Sequence, residues 1–97
     1  MYAAIRRGKV KPGSAEELAR RVQEGALPIV SSISGFQAYY VVYGDEDMVV
    51  TVSVFADKAA AEESNRQIMG WIKENLGPLL AGPPDAIEGE VMVSQIG

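Results

Sequence analysis

Asn65 has the side chain best placed to do chemistry in a chain that contains no histidine. It follows Ser64 in a stretch with helical periodicity whose apolar stripe runs through Ala61, Ile68 and Ile72. At about 100° per residue, Asn65 falls about 60° to one side of the line through Ile68, and Ser64 about 40° to the other. A polar pair therefore intrudes on an apolar face. A buried amide must find hydrogen-bond partners. Asn65, with Ser64 beside it and Ile68 at the centre of the stripe, could bind a substrate oxygen or a developing oxyanion. It could equally bond a backbone group and lock the helix in place.

Arg6 and Arg7 stand mid-strand in YAAIRRGKV, so one of them must point into a covered face of the sheet. A guanidinium there requires a carboxylate or an anion. Glu88 or Glu90 could serve, or an anionic ligand. Tyr40 shares strand parity with Phe36, Ala38 and Val42, while Tyr39 and Tyr43 take the other face. Tyr40 is a pocket candidate for proton transfer or phenol binding if its face is the one under the helices. Trp71 lies about 60° from the Ile68 line, at the stripe's edge. Its ring could stack on a planar substrate or cap the core with its N–H reaching water or a carbonyl.

What is missing narrows the chemistry further. Without histidine or cysteine, no Ser-His-Asp or Cys-His nucleophile, thiolate cluster or disulfide can be built. The turn Asp45-Glu46-Asp47 lacks calcium-loop spacing, and no metal site is expected. A net charge of −4 offers no footprint for a phosphate backbone, so nucleic acid is not an expected partner. MYAAIRRGKV lacks the apolar core of a signal peptide and no segment reaches transmembrane length, which makes a cytoplasmic protein without membrane contact the expectation.

The elements that must position these residues read as βαββαβ over a single domain, residues 1–97. Tyr2 to Val10 is a strand ending at Lys11-Pro12-Gly13. Ser14 and Glu17 match a capping box. Ala15, Leu18, Val22, Ile29 and Ile33 form a helical stripe, with a kink or restart expected at Pro28. The segment GFQAYYVVYGDEDMVVTVSVF is a hairpin, apolar on both faces. Asp57 caps a second helix to about Asn75, and Ile87 to Ile96 is the last strand. This order folds as a ferredoxin-like α+β sandwich: a four-stranded antiparallel sheet with both helices on one face. Tyr39, Val41, Tyr43, Val49 and Phe55 are expected on the other face. A patch of that kind marks an interface, most simply a two-fold dimer that stacks sheet on sheet.

The segments KVKPGSAEELARRV, SGFQAYYVVYGDEDMVVTVSVFADKAAAEESN and EGEVMVS resemble the antibiotic biosynthesis monooxygenase family, within the dimeric α+β barrel superfamily. The resemblance spans roughly Tyr2 to Ser94. It implies a sheet-to-sheet homodimer and a pocket between sheet and helices in each protomer. It also implies cofactor-free oxygenation of an aromatic or quinone-like small molecule. A tryptophan often forms part of such pockets, a role open to Trp71. The haem-degrading branch pairs an Asn on the first strand with a Trp and a His on the second helix. Here those places hold Arg6-Arg7 and Ser64-Asn65, and there is no His, so haem cleavage is disfavoured. Since fold does not imply function, a non-catalytic dimeric module that binds a small ligand is the alternative.

Overall fold

The computed structural model describes residues 1–97 and has the order β1 (Tyr2–Lys9), α1 (Ala15–Arg21), α2 (Leu27–Ser31), β2 (Phe36–Tyr43), β3 (Met48–Phe55), α3 (Lys58–Asn75) and β4 (Asp85–Glu90). The strands form one antiparallel sheet in the order β2-β3-β1-β4, with the helices over one face. This is the ferredoxin-like α+β arrangement.

Between α1 and α2 the chain does not break. Val22–Ala26 is a π-helical segment in which the Leu27 amide donates to the Val22 carbonyl five residues back. Pro28 explains it. The ring has no N–H to offer and would press on the carbonyl of Glu24 in a regular helix, so the preceding turn widens. The wider turn also rephases the stripe. Leu18, Val22, Ala26, Val30 and Ile33 are the buried residues, and the expected Ile29 is only partly covered.

Caps behave differently at the two helix starts. The Asp57 carboxylate accepts from the Ala60 amide at 2.9 Å, as its position suggests. Ser14 makes no side-chain cap bond, contrary to the capping-box expectation. Its intended partner, Glu17, is engaged instead by Arg20 and Arg21 one turn on.

The helix-covered face of the sheet is the reverse of the expected one. Val49, Ser53 and Phe55 are buried against the helices, with Tyr39 and Val41 packed beside them. Phe55 is only 1% exposed, and burial of such a ring is worth roughly 1.5–3 kcal/mol. The register slips between Phe36 and Ala38. Gln37 is thus an extra residue in β2, a bulge that moves Phe36 off the face of Ala38 and Tyr40. Phe36 meets Phe55 edge-to-face, with ring centroids 6.2 Å apart. The open face carries Ile5, Tyr40, Val42, Val50, Val52, Val54 and Ile87, with Tyr40 59% and Ile87 68% exposed.

β4 stops at Glu90 rather than running to Ile96. Glu90 pairs with Tyr2, and the Val91 amide donates to the Met1 carbonyl. Met92, Val93 and Ile96 are left almost fully exposed. No helix is long and apolar enough to cross a membrane.

Candidate functional site between α3 and the sheet

Alternation along β1 sends Arg6 toward the helices and Arg7 to the open face, with Thr51 of β3 directly opposite Arg6. Arg7 pairs with Asp85 at 3.2 Å in an exposed ion pair. Arg6 instead donates from Nη2 to the Asn65 Oδ1 at 2.6 Å and, more weakly, to the Met69 sulfur at 3.8 Å. Asn65 in turn donates from Nδ2 to Glu88 of β4 at 3.2 Å. The amide of α3 is therefore inserted between a cation on one strand and a carboxylate on the next. The amide thus bonds two side chains of the sheet rather than the backbone group that a helix lock was expected to use.

Beneath α3 lies a cavity of about 50 Å³ lined by Arg6, Leu18, Tyr39, Thr51, Leu76 and Leu80, among others. It adjoins an open cleft of about 660 Å³ between α3 and residues 77–84, and the two share Ile72, Leu80 and Pro84 as walls. Arg6, Tyr39 and Thr51 line the small cavity, Lys73 lines the larger cleft, and Asn65 and Glu88 line neither, so the Arg6–Asn65–Glu88 relay reaches the cavity only through Arg6. Leu80 is pinned by its bridge to Val10, and the Ala81 amide donates to the Lys9 carbonyl. The wall is thus fastened to the end of β1.

Tyr39 is the functional candidate that was expected on the open face. With the buried Tyr2 it is one of two tyrosines beneath the helices, and it is the one that lines the cavity; burial raises its pKa above the ordinary tyrosine value. The Thr51 hydroxyl and the Arg6 charge pull in the opposite direction. Alternation groups Tyr39 correctly with Val41 and Tyr43, and no signal in the sequence says that this group is the one that meets the helices.

Tyr40 lies on the open face, away from this cavity, so the structure does not bring it to Asn65. Ser64 and Ile68 are buried one helical turn apart on α3, outside the cavity lining. Trp71 packs at the seam between α3 and the π segment, against Gly25, and also lies outside it. The same seam is tied by Arg21, which donates to the Asn75 carbonyl at 2.6 Å. Asp45 to Asp47 form a left-handed turn at Glu46 and Asp47. No group of three or more acidic side chains converges to a metal-sized site.

Comparisons with known proteins agree with this architecture. No curated protein sequence matches the chain. NE2512 of Nitrosomonas europaea, a protein of unknown function, is 26% identical, with 99% of this chain and 93% of that one covered and a TM-score of 0.82. The ActVA-Orf6 monooxygenase of Streptomyces coelicolor, solved with nanaomycin D, is 18% identical, with 99% and 91% covered and a TM-score of 0.82. A mutant of MhuD with two manganese protoporphyrin IX molecules per active site is 18% identical, with 100% of both chains covered and a TM-score of 0.77. At 18% identity, such likeness speaks for the fold alone. The family model for antibiotic biosynthesis monooxygenases matches residues 1–67, which takes in β1, the helical arm, the hairpin and α3 as far as Gln67. The chain is a member of the antibiotic biosynthesis monooxygenase family.

Proposed function

We propose that the protein is a cofactor-independent monooxygenase of an aromatic or quinone-like small molecule. It would work in the cytoplasm as a single-domain subunit of a homodimer. One observation carries the site: an Arg6–Asn65–Glu88 relay beside an apolar cavity that also holds the Tyr39 hydroxyl. Oxygenation of an easily ionised phenol or enol needs no enzymic nucleophile, because the substrate anion itself donates an electron to dioxygen. The protein would supply a dry apolar enclosure, fixed donors and orientation. Asn65 is the donor on α3, and Arg6 and Tyr39 face it from the sheet. Ser64 and Ile68 hold α3 in place, and Trp71 fixes the helix seam.

The dimer reading rests on the open sheet face. Ile5, Tyr40, Val42, Val52 and Ile87 form an apolar surface across all four strands, larger in kind than an isolated monomer ordinarily exposes. A second copy stacked on it covers both faces at once.

The alternative is a ligand-binding module without turnover, and the cavity's size bears on both readings. About 50 Å³ is well below the roughly 300 Å³ of an ordinary ligand pocket. A substrate must therefore displace the 77–84 wall or reach inward from the cleft. An oxygen electrode with a panel of anthrone-like phenols and quinols separates the two readings. Uptake above a heat-treated control, lost in Asn65→Leu, supports the enzyme. Ligand-induced thermal stabilisation with no uptake supports the binding module.

A further inference from the structure

We infer that Arg6 is the counter-ion for an oxyanion on a planar apolar ligand, so that this site takes its ligand ionised, as a phenolate or carboxylate, in preference to the neutral form. The inference rests on the cavity reading above and adds the ligand's charge.

Arg6 stands apart from the other arginines. Arg7, Arg20, Arg21 and Arg66 each lie within ion-pair distance of a carboxylate, and Arg6 does not. It is also the arginine that points between sheet and helix, where water screens charge least. Its one close partner is a neutral amide oxygen. The acidic group nearest in the relay, Glu88, reaches it only through the Asn65 amide.

The guanidinium has donors to spare. Both hydrogen bonds it makes leave from Nη2, and Nε and Nη1 make none within the chain. A guanidinium presents five N–H groups in a fixed fork suited to oxyanions. The apolar walls Ile72, Leu80 and Pro84 continue from this cavity into the open cleft of about 660 Å³, which has room for a planar apolar body whose oxyanion reaches in to Arg6. The groups that face Arg6 are Asn65 and Met69 from α3, Thr51 from β3, Tyr39 from β2 and Ala86 from β4. None of these carries a negative charge at neutral pH, so the positive charge is left for a ligand. Glu88 contributes in another way. By accepting from Nδ2 it orients Asn65 with its carbonyl toward Arg6, which fixes the fork.

The test is direct binding, independent of turnover. Three probes are titrated into the wild-type protein at pH 7: 4-nitro-1-naphthol, its methyl ether, and 1-naphthoate. The nitronaphtholate should bind on the order of tenfold or more tighter than the ether, as a charge-assisted hydrogen bond allows. Its phenolate absorption band should show ionisation of the bound form shifted down by about one pH unit. Arg6→Met should abolish both the preference and the shift while leaving affinity for the ether within about threefold, and Arg6→Lys should retain the shift. Tighter binding of naphthoate than of the nitronaphtholate would identify a carboxylic acid as the ligand, and the reverse a phenol or enol. Circular dichroism shows that each variant is folded. Equal affinity for anion and ether, or a preference that survives Arg6→Met, overturns the role of Arg6 and leaves the cavity reading standing. Failure of all three probes to bind overturns both.

Discussion

Gly25 lies directly beneath the indole of Trp71: a Cβ at residue 25 would overlap the six-membered part of that ring. The contact joins the π-helical segment to α3, so the widened turn and the tryptophan are one packing unit. Gly25→Ala should gain about 1 kcal/mol from helix propensity and lose more, about 1–3 kcal/mol, to overpacking against a rigid ring. Net destabilisation in urea unfolding is the expected result. In the Trp71→Leu background the same alanine should become neutral or stabilising. Additive effects of the two changes would refute the contact.

The proposed dimer has the open sheet face as its interface. Light scattering should find a dimer at micromolar concentration, and Val52→Glu or Tyr40→Glu should yield folded monomer. Phe55→Glu should fail to fold instead, because that ring is in the core, where an unpaired carboxylate is costly. Tyr43, exposed at the hairpin end with its hydroxyl donating to Asp47, should accept Glu without loss of the dimer. A wild-type monomer would move the interface elsewhere.

The two helix starts should respond unequally to loss of their polar residue. Asp57→Ala removes a cap bond to Ala60 and should cost about 1 kcal/mol. Ser14→Ala removes no such bond and should shift the urea midpoint very little. Comparable losses at both sites would contradict the observed cap geometry.

Alkaline stability should report on Tyr39. Its folded-state pKa is raised, chiefly by burial, above the ordinary value near 10. As pH climbs past about 10 the unfolded chain releases this proton first, so the folded state binds more protons and stability falls. That contribution is fully present below the unfolded value and is lost as pH rises through the folded one. Tyr39→Phe should flatten the fall of the unfolding midpoint above pH 10, measured by thermal melts from pH 8 to 11. An unchanged slope would mean that the hydroxyl is not held neutral beneath the helices.

Much of this protein is legible from residue order alone. Local chemistry places the Asp57 cap, the α3 stripe, the Gly44–Asp47 turn and the disturbance at Pro28, because each depends on neighbours within a turn or two. The absence of histidine and cysteine likewise limits the reactions open to the site before any coordinate is known. What alternation cannot say is which face of a two-sided apolar hairpin meets the helices. That assignment came out reversed, because it turns on packing between distant elements and on a bulge at Gln37 that flips Phe36 alone. The same contacts between distant elements turned Arg6 inward onto Asn65 and put Tyr39 rather than Tyr40 beside the cavity. Periodicity defines the faces of an element, and only the packing of one element on another decides what each face touches.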